Sequence, residues 1–522
     1  MLKKLHGRKL AVCLIGGAMY ALFSAFGWQA EHGGVIWAGG ALLVAALLVW
    51  PIAALLAVLL ERGYTRTLRQ EKTFRAGRAF AFMLACYVPM FCVAFPGSFA
   101  YDVPYQLRQV VTGAYSTHHP LLHTLALGGL LQLGRALGDI NLGAALYTAL
   151  QMALLAGCFA LTCGSIARQS GARAAKRAAV FFALYPLNMV MAVNATKDVL
   201  FGGFFALTLA LLNEIQEKPA RGLALKIAAC GALAVMLRNN MAYAALVWLA
   251  ILTIGLRKAE KSAALAMLLA LAVGLCGNAA LKHATRAESG DMSEMLSWPI
   301  QQLARARLYD EERLTDAEKE AIDELMPGEA WACYDPTISD PVKFEFDTQA
   351  FRADVKKYVG VWLSVGKKCA GTYLDATMAL TYPFFYPYRE YRVSGYYVQM
   401  GMSDAYDAGW CDFDPPESRS LFPRALASLS WRFGAKGAMQ IPVVGWLFNM
   451  GVIVWTMLFF ALREMYWGRW RRFGTALLPV LLWGTFLLGP VMAGRYIYPF
   501  VCALPVLAAR PGRSVKEAER HG

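Results

Sequence analysis

The chain has 522 residues, of which 57% are hydrophobic and only 17% are charged. Its apolar residues occur in blocks of about twenty, roughly the length of helix that crosses ~30 Å of hydrocarbon. Blocks such as residues 40–60 are apolar on every face, which excludes a β-barrel. The net charge of +15 lies in short basic runs between these blocks, a pattern typical of membrane orientation rather than nucleic-acid binding.

These blocks predict an all-α polytopic membrane protein with about twelve transmembrane helices. The first block resembles a secretory signal, but no persuasive cleavage site follows it, and we interpret it as an uncleaved first helix. If the basic runs are cytoplasmic, twelve crossings place both termini in the cytoplasm. The predicted spans are residues 10–29, 35–60, 79–95, 142–167, 178–195, 198–214, 222–237, 241–256, 262–281, 441–462, 474–491 and 494–509.

One further apolar stretch, residues 121–137, is not counted as a crossing. It has about seventeen residues and contains three glycines, and counting it would place the basic run at residues 168–177 outside. We therefore predict a re-entrant or interfacial helix within an outer loop of residues 96–141. This loop belongs to an N-terminal transmembrane bundle, residues 1–281.

The polar segment of residues 282–440 is too long for a connector and predicts an extracytoplasmic module that is mainly helical. About two-thirds of the 36 acidic residues lie in it. Within it, residues 310–325 predict an amphipathic helix with Thr315 as N-cap. Residues 355–380 predict a helix on the membrane surface, and residues 382–397 an interfacial loop.

The end of the chain and the cysteines add two smaller predictions. Residues 441–522 are expected to form the C-terminal transmembrane helices and a cytoplasmic tail. Most of the eleven cysteines lie in or beside apolar spans, where a thiol behaves as a small apolar group. Cys333, Cys369 and Cys411 fall in the polar segment, and the sequence leaves open whether two of them form a disulfide.

Several unusual polar residues fall at predicted outer ends of spans. Charges at a membrane boundary are costly, so their shared side predicts that they converge on one functional cavity. The residues are Asp102, His118, His119, Lys197, Asp198, Arg238 and Arg495.

Each of these residues also has a simple structural explanation. Asp102 would cap the helix that follows it, and His118, His119 and Pro120 would begin another. Lys197 and Asp198 would form a local ion pair. Arg238 and Arg495 would extend to lipid headgroups, as many boundary arginines do.

The order of these features resembles the GT-C membrane glycosyltransferases, which include the protein O-mannosyltransferases and the aminoarabinose transferase of lipid A. In that family the first outer loop carries a catalytic Asp or Glu, followed downstream by His-Pro-Pro or Lys-Pro-Pro. Asp102 and His119-Pro120 are the matching positions. Residues 297–315 and 339–343 also resemble uncharacterised bacterial GT-C-like proteins. The sequence departs from the pattern at Val103 and Leu121.

The resemblance implies a bacterial plasma-membrane enzyme that transfers a sugar from a polyprenyl-phosphate donor to an extracytoplasmic glycan, lipid or protein. Asp102 would be the general base, and a single base implies inversion at the anomeric carbon. The predicted phosphate ligands are Lys197, Arg238 and Arg495, with His118 or His119 beside them. Tyr101, Tyr105, Trp298 and Tyr496 would stack on the sugar, and Asp198 and Gln301 complete the predicted substrate-binding set.

Two questions stay open at this point. A divalent cation, Mg²⁺ or Mn²⁺, bridging Asp102 and the phosphate is an alternative, although few convergent oxygen ligands are visible. A transporter of lipids or polyprenyl-linked sugars is the alternative function. Transporters place ionisable groups near the midplane, often in repeated halves, whereas the middles of these spans are nearly free of charge. A structural scaffold would explain the acidic module but not the shared side of the cations.

Overall fold

The computed structural model describes residues 5–32, 40–62, 73–253, 258–387, 398–403, 415–434 and 441–510. Over these ranges the chain is all-α, with isolated β-bridges and no strand. The model contains 6 helices that are long and apolar enough to cross a membrane. The prediction of an all-helical chain with several membrane-spanning segments is therefore confirmed. The other predicted spans correspond to helices of at most 18 residues.

In the described part of the chain, twelve helices precede the polar module. They are α1 (Arg8–His32), α2 (Gly40–Arg62), α3 (Ala76–Ala94), α4 (Val103–Thr112), α5 (Leu121–Ala136), α6 (Ile140–Ser170), α7 (Ala172–Leu184), α8 (Pro186–Ala192), α9 (Lys197–Glu217), α10 (Arg221–Leu237), α11 (Asn239–Thr253) and α12 (Lys258–Thr285). The predicted span 178–195 is two helices, because Pro186 lacks the amide hydrogen that would continue α7 and instead begins α8. The stretch predicted to be re-entrant forms α5, which has 16 residues.

Helix α9 lies at the centre of the bundle. In its most apolar window 89% of the residues are buried, and it packs against α6, α10 and α22 (Tyr498–Ala508). Aromatic pairs such as Phe159 and Phe182, whose rings stack with centroids 4.0 Å apart, fill the neighbouring core. Because Lys197 and Asp198 begin α9, the packing of this helix fixes their position.

The polar module has its own hydrophobic core, with members that include Ile300, Ile322, Val342 and Val365. Its helices are α13 (Ser297–Tyr309), α14 (Asp316–Leu325), α15 (Asp340–Lys343), α16 (Thr348–Ala353), α17 (Val355–Lys368) and α18 (Ala370–Thr381). A surface helix, α19 (Pro423–Gly434), then leads to α20 (Met450–Tyr466), α21 (Trp470–Leu487) and α22.

The single helix predicted over residues 355–380 was wrong, since the chain breaks at Cys369 into α17 and α18. The two helices fold against each other where Gly366 leaves room for the Tyr373 ring, and the Tyr373 hydroxyl donates to the Trp362 carbonyl. A side chain at position 366 would meet that ring at 2.9 Å. The reversal therefore depends on contacts of the Tyr373 side chain with the backbone of α17, which helical periodicity does not reveal.

Two other predictions in the module have partial outcomes. The described part of the predicted interfacial loop, residues 382–387, includes Tyr382 and Phe384, which are buried rather than interfacial. The remainder of that loop lies outside the described residues. Cys333 and Cys369 are free thiols, one exposed and one buried, and Cys411 also lies outside the described residues.

The predicted N-cap at Thr315 is confirmed. Its hydroxyl accepts a hydrogen bond from the Glu318 amide at 3.3 Å, and the Glu318 carboxylate accepts one from the Thr315 amide at 2.8 Å. This reciprocal capping box satisfies two amides that would otherwise lack partners at the start of α14.

Replacing Thr315 tests this cap. Thr315→Ala should destabilise α14 by about 1 kcal/mol, because the Glu318 amide loses its acceptor. Hydrogen exchange of the amides in Asp316–Leu325 should become about fivefold faster. Thr315→Ser keeps the hydroxyl and serves as the control. Equal exchange rates in the alanine and serine variants would contradict the assignment.

Candidate functional site

Six charged or titratable side chains from five separate chain segments meet near the N-terminus of α9, and we call them the Asp102 cluster. Asp102 precedes α4, His119 precedes α5, and Lys197 and Asp198 begin α9. Arg238 follows α10, and Arg495 lies in the short turn before α22. The structure thus brings together residues that are separated by as many as 393 positions in the sequence.

Asp102 lies at the centre of the more exposed half of the cluster. Its Oδ2 is 2.9 Å from Lys197 Nζ and 3.2 Å from Arg495 Nη1, while its Oδ1 is 3.2 Å from Arg495 Nη2. His119 Nδ1 is 3.7 Å from Oδ2. Asp102 occupies the N-cap position of α4, but its side chain makes no capping hydrogen bond. Capping therefore does not explain this carboxylate.

Asp198 anchors the buried half of the cluster. Its side chain is 0% exposed, and its Oδ1 lies 2.9 Å from Arg238 Nη1. Arg495 Nε is 3.8 Å from Asp198 Oδ2, so the Arg495 guanidinium bridges the two carboxylates. Lys197 and Asp198 thus pair with distant partners rather than with each other. The first turn of a helix also favours a carboxylate, because the amide hydrogens at that end carry partial positive charge.

Aromatic rings enclose both arginines. The Arg495 guanidinium lies 4.5 Å from the Tyr101 ring and 5.3 Å from the Tyr496 ring. Arg238 lies between Tyr496 and Phe486, at 4.5 Å from each ring. These two arginines are buried inside the protein and do not extend to lipid headgroups. Tyr101 and Tyr496, predicted as sugar platforms, instead pack against cations.

Tyr105 and His118 form the exposed edge of the cluster. Tyr105 is 53% exposed, and its ring centroid lies 6.5 Å from that of His119. His118 is also exposed, and its ring meets the His119 ring edge to face at 4.5 Å. Of the aromatic residues predicted to stack on a sugar, Tyr105 therefore has the geometry for it.

The pairing of two loops sets the position of Asp102 relative to Lys197. The Ser98 amide donates to the Val193 carbonyl, and the Ala195 amide donates to the Ser98 carbonyl, each at 2.8 Å. This parallel bridge between Ser98 and Asn194 places both loops in register. Four residues after Ser98 the chain reaches Asp102, and three residues after Asn194 it reaches Lys197.

Residues 398–403, near the C-terminal end of the polar module, stabilise the turn at Tyr101. Tyr101 has a φ of 56°, a left-handed conformation that is costly for a tyrosine. Its amide donates to Gln399 Oε1 at 3.3 Å, and its hydroxyl accepts from the Gln399 amide. Neither Gln399 nor Phe486 was identified from the sequence, because nothing local distinguishes them from other residues in their segments.

Ion pairing decides the protonation state of Asp102. Burial alone would raise the pKa of this carboxyl, but the Arg495 and Lys197 cations outweigh burial and hold the pKa well below its usual range. Burial and the adjacent Lys197 ammonium hold the pKa of His119 well below its usual range as well. At neutral pH the cluster therefore contains an ionised Asp102 and an uncharged His119.

Gln301 and Trp298 lie apart from the cluster and support the module. Gln301 Nε2 donates to the carbonyls of Asp335 and Ile338 at 2.9 and 2.7 Å. Trp298 Nε1 donates to the Leu487 carbonyl at 2.7 Å. The Trp298 hydrogen bond joins the module to α21. Ile338, which accepts from Gln301, forms an isolated bridge with Val491 in the loop before Arg495.

The donor set around Asp102 does not fit a divalent metal ion. Both of its carboxylate oxygens face the Arg495 guanidinium, and Lys197 lies against Oδ2. Mg²⁺ and Mn²⁺ prefer several oxygen ligands, which cations near the same carboxylate disfavour. In the described part of the chain, no group of three or more His, Cys, Asp or Glu residues is arranged for a metal ion.

The apolar helices and the charge cluster at their ends define an all-α membrane protein with several membrane-spanning helices. The chain belongs to DUF6020, a family of unknown function, whose model matches residues 111–521. The matched region contains every residue of the cluster except Asp102. No curated protein and no solved structure matches the chain.

The buried pair predicts a large difference between two Arg→Gln variants. Arg238→Gln should lower the free energy of unfolding by about 3–5 kcal/mol, because it removes the nearest partner of a fully buried carboxylate. Arg419→Gln breaks the exposed Arg419–Asp139 pair, whose side chains are 50% and 41% exposed, and should leave the free energy of unfolding nearly unchanged because water screens an exposed pair. Denaturation in detergent measures both. Equal losses would show that the Arg238–Asp198 pair is not buried.

Proposed function

We propose that the chain is a GT-C-type glycosyltransferase of a bacterial plasma membrane, with the Asp102 cluster as its active site. It would transfer a sugar, with inversion, from a polyprenyl-phosphate donor to an extracytoplasmic glycan, lipid or protein. This proposal includes the twelve-span topology, with both termini cytoplasmic and the cluster on the outer face. The observation that carries it is one partly exposed carboxylate held by a lysine and an arginine at the end of membrane helices.

The charge of the cluster matches a phosphodiester. Among the described residues, the carboxylates that pair with Lys197, Arg238 and Arg495 are those of Asp102 and Asp198, while His119 is uncharged. One positive charge is therefore left over, and a sugar linked to a lipid phosphate carries one negative charge. Preorganised cations in a partly dehydrated site would stabilise the lipid phosphate as it leaves.

Unpartnered donors provide a second line of support. Arg238 Nε and Arg495 Nε are buried and have no hydrogen-bond acceptor among the described residues. Buried N–H groups almost always have a partner, so such groups call for a ligand, an ion or water. Phosphate oxygens are suitable acceptors, because the guanidinium group recognises them through paired N–H donors.

In the reaction that we propose, donor binding releases the base. The donor phosphate competes for Arg495 and Lys197, and as these cations leave Asp102 its pKa rises toward the ordinary value. The acceptor hydroxyl then gives its proton to Asp102 while its oxygen attacks the anomeric carbon. The bond between that carbon and the phosphate oxygen breaks, and the electron pair leaves with polyprenyl phosphate. Asp102 is therefore an effective base only when donor is present.

The variant Asp102→Asn tests this competition. It should lower transfer by about 10²- to 10⁴-fold, since the amide does not accept the proton. The same variant should bind polyprenyl monophosphate about three to ten times more tightly, because the competing carboxylate charge is gone. Transfer is followed as labelled sugar in product, and binding by titration of the detergent-solubilised protein.

Two further results decide between the assignments. Arg495→Lys keeps the charge but loses the two-pronged contact, so polyprenyl monophosphate should bind about tenfold more weakly.

Undiminished transfer in Asp102→Asn would contradict the base assignment. Movement of labelled lipid-linked sugar across sealed vesicles without a covalent product would instead identify a transporter.

The exposed ring of Tyr105 is the proposed sugar platform. Tyr105→Ala should raise the KM for donor about five- to tenfold, because an aromatic face covers the apolar face of a sugar ring. Tyr309→Ala is the control, since Tyr309 is 64% exposed and packs against Arg305 and Tyr334 in the polar module. Steady-state kinetics measures both variants. An equal effect, or none at Tyr105, would remove the platform assignment.

A further inference from the structure

A second charged site lies at the N-terminal end of α3, whereas the C-terminal end of this helix leads to Asp102. Here the first turns of α3 and α7 enclose a groove of about 610 Å³, and its cationic side chains are Arg75, Arg78 and Lys176. We call it the basic groove. Helix α3 spans 19 residues, or roughly 28 Å at 1.5 Å per residue, so the groove is remote from the Asp102 cluster.

Along the groove, cationic side chains are followed by apolar ones, as the charged headgroup of a phospholipid is followed by its acyl chains. The three cations lie at the start of the two helices, and the next turns present Ala79, Phe82 and Val180. Residues 75, 78, 79 and 82 have the spacing of one helical face, and so do residues 176, 179 and 180. Because α3 is itself a candidate membrane span, the apolar part of the groove extends into the bilayer from the cationic part.

Two features make the cationic end receptive to an anion. No carboxylate is among the described residues that line the groove. In addition, Arg75 occupies the N-cap position of α3 but its side chain accepts no hydrogen bond from the first turn. The Arg78 amide donates to the Arg75 carbonyl at 3.1 Å, so the amide hydrogens of Ala76 and Gly77 and the three cations attract negative charge at the same place.

We infer that the basic groove binds the phosphate headgroup of an anionic phospholipid, with its acyl chains along the apolar turns. Basic pockets between membrane helices are suited to acidic lipid headgroups, whereas a soluble anion would gain nothing from Phe82 and Val180. This inference does not depend on the proposed transfer reaction, because it involves none of the residues in the Asp102 cluster.

Native mass spectrometry of the full chain, with phosphatidylglycerol and phosphatidylcholine as probes, tests the inference. The wild-type protein should retain one phosphatidylglycerol in preference to phosphatidylcholine. The triple variant Arg75→Gln, Arg78→Gln, Lys176→Gln should bind it at least about tenfold more weakly, since each cation near a lipid surface contributes of order fivefold. The matched control, Arg177→Gln, Lys218→Gln, Arg221→Gln, removes as many charges outside the groove and should bind as the wild type does.

Two additional measurements test the apolar part of the groove and distinguish a lipid from a free anion. Val180→Trp leaves the charges in place but narrows the apolar part, so it should also weaken phosphatidylglycerol binding by severalfold. Full displacement of the lipid by millimolar inorganic phosphate would identify a site for a free anion and overturn the lipid assignment. Equal retention by the groove variant and the control variant would overturn the site itself.

Discussion

The arrangement of the helix ends depends on two carboxylates, Asp102 and Asp198, that share one arginine, Arg495. A fully buried Asp198 is tolerated only with cationic partners, because an unpaired charge costs several kcal/mol in a low-dielectric interior. Arg495 satisfies part of that requirement and at the same time holds Asp102. Four parts of the chain must therefore come together at one place: the C-terminus of α3, the N-terminus of α9, the C-terminus of α10 and the turn before α22. The packing of α9 in the bundle core makes that meeting point rigid.

The ion pairs also determine what Asp102 can do chemically. A carboxylate whose pKa is held low by two cations is a weak base, so in the mechanism that we propose the arrangement without a ligand is inactive. In the proposed mechanism an anionic donor converts it into an active site by competing for the same cations. The rings of Tyr101, Phe486 and Tyr496, which also contact Arg238 and Arg495, would keep the guanidinium groups within the cluster while Arg495 moves from Asp102 to the phosphate.

The sequence predicted which charged residues would meet, because hydrophobic length and basic loops report on which membrane side a residue lies. It did not predict the partners. A local ion pair was one explanation for Lys197 and Asp198, whereas the bridge between Ser98 and Asn194 places Lys197 beside Asp102. The helix break at Cys369 and the contact of Gln399 with Tyr101 were also missed. The ion pairs and the Gln399 contact join distant segments, and the break at Cys369 depends on how the Tyr373 side chain packs on α17. Helical periodicity contains no information on either.

The central claim is that phosphate and Asp102 compete for the same two cations. A cryo-electron microscopy structure of the protein with bound polyprenyl monophosphate tests it most directly. The account predicts that the phosphate contacts Arg495 and Lys197, and that both have left hydrogen-bonding distance of Asp102. A phosphate bound elsewhere, with the contacts of Asp102 to Lys197 and Arg495 intact, would contradict it.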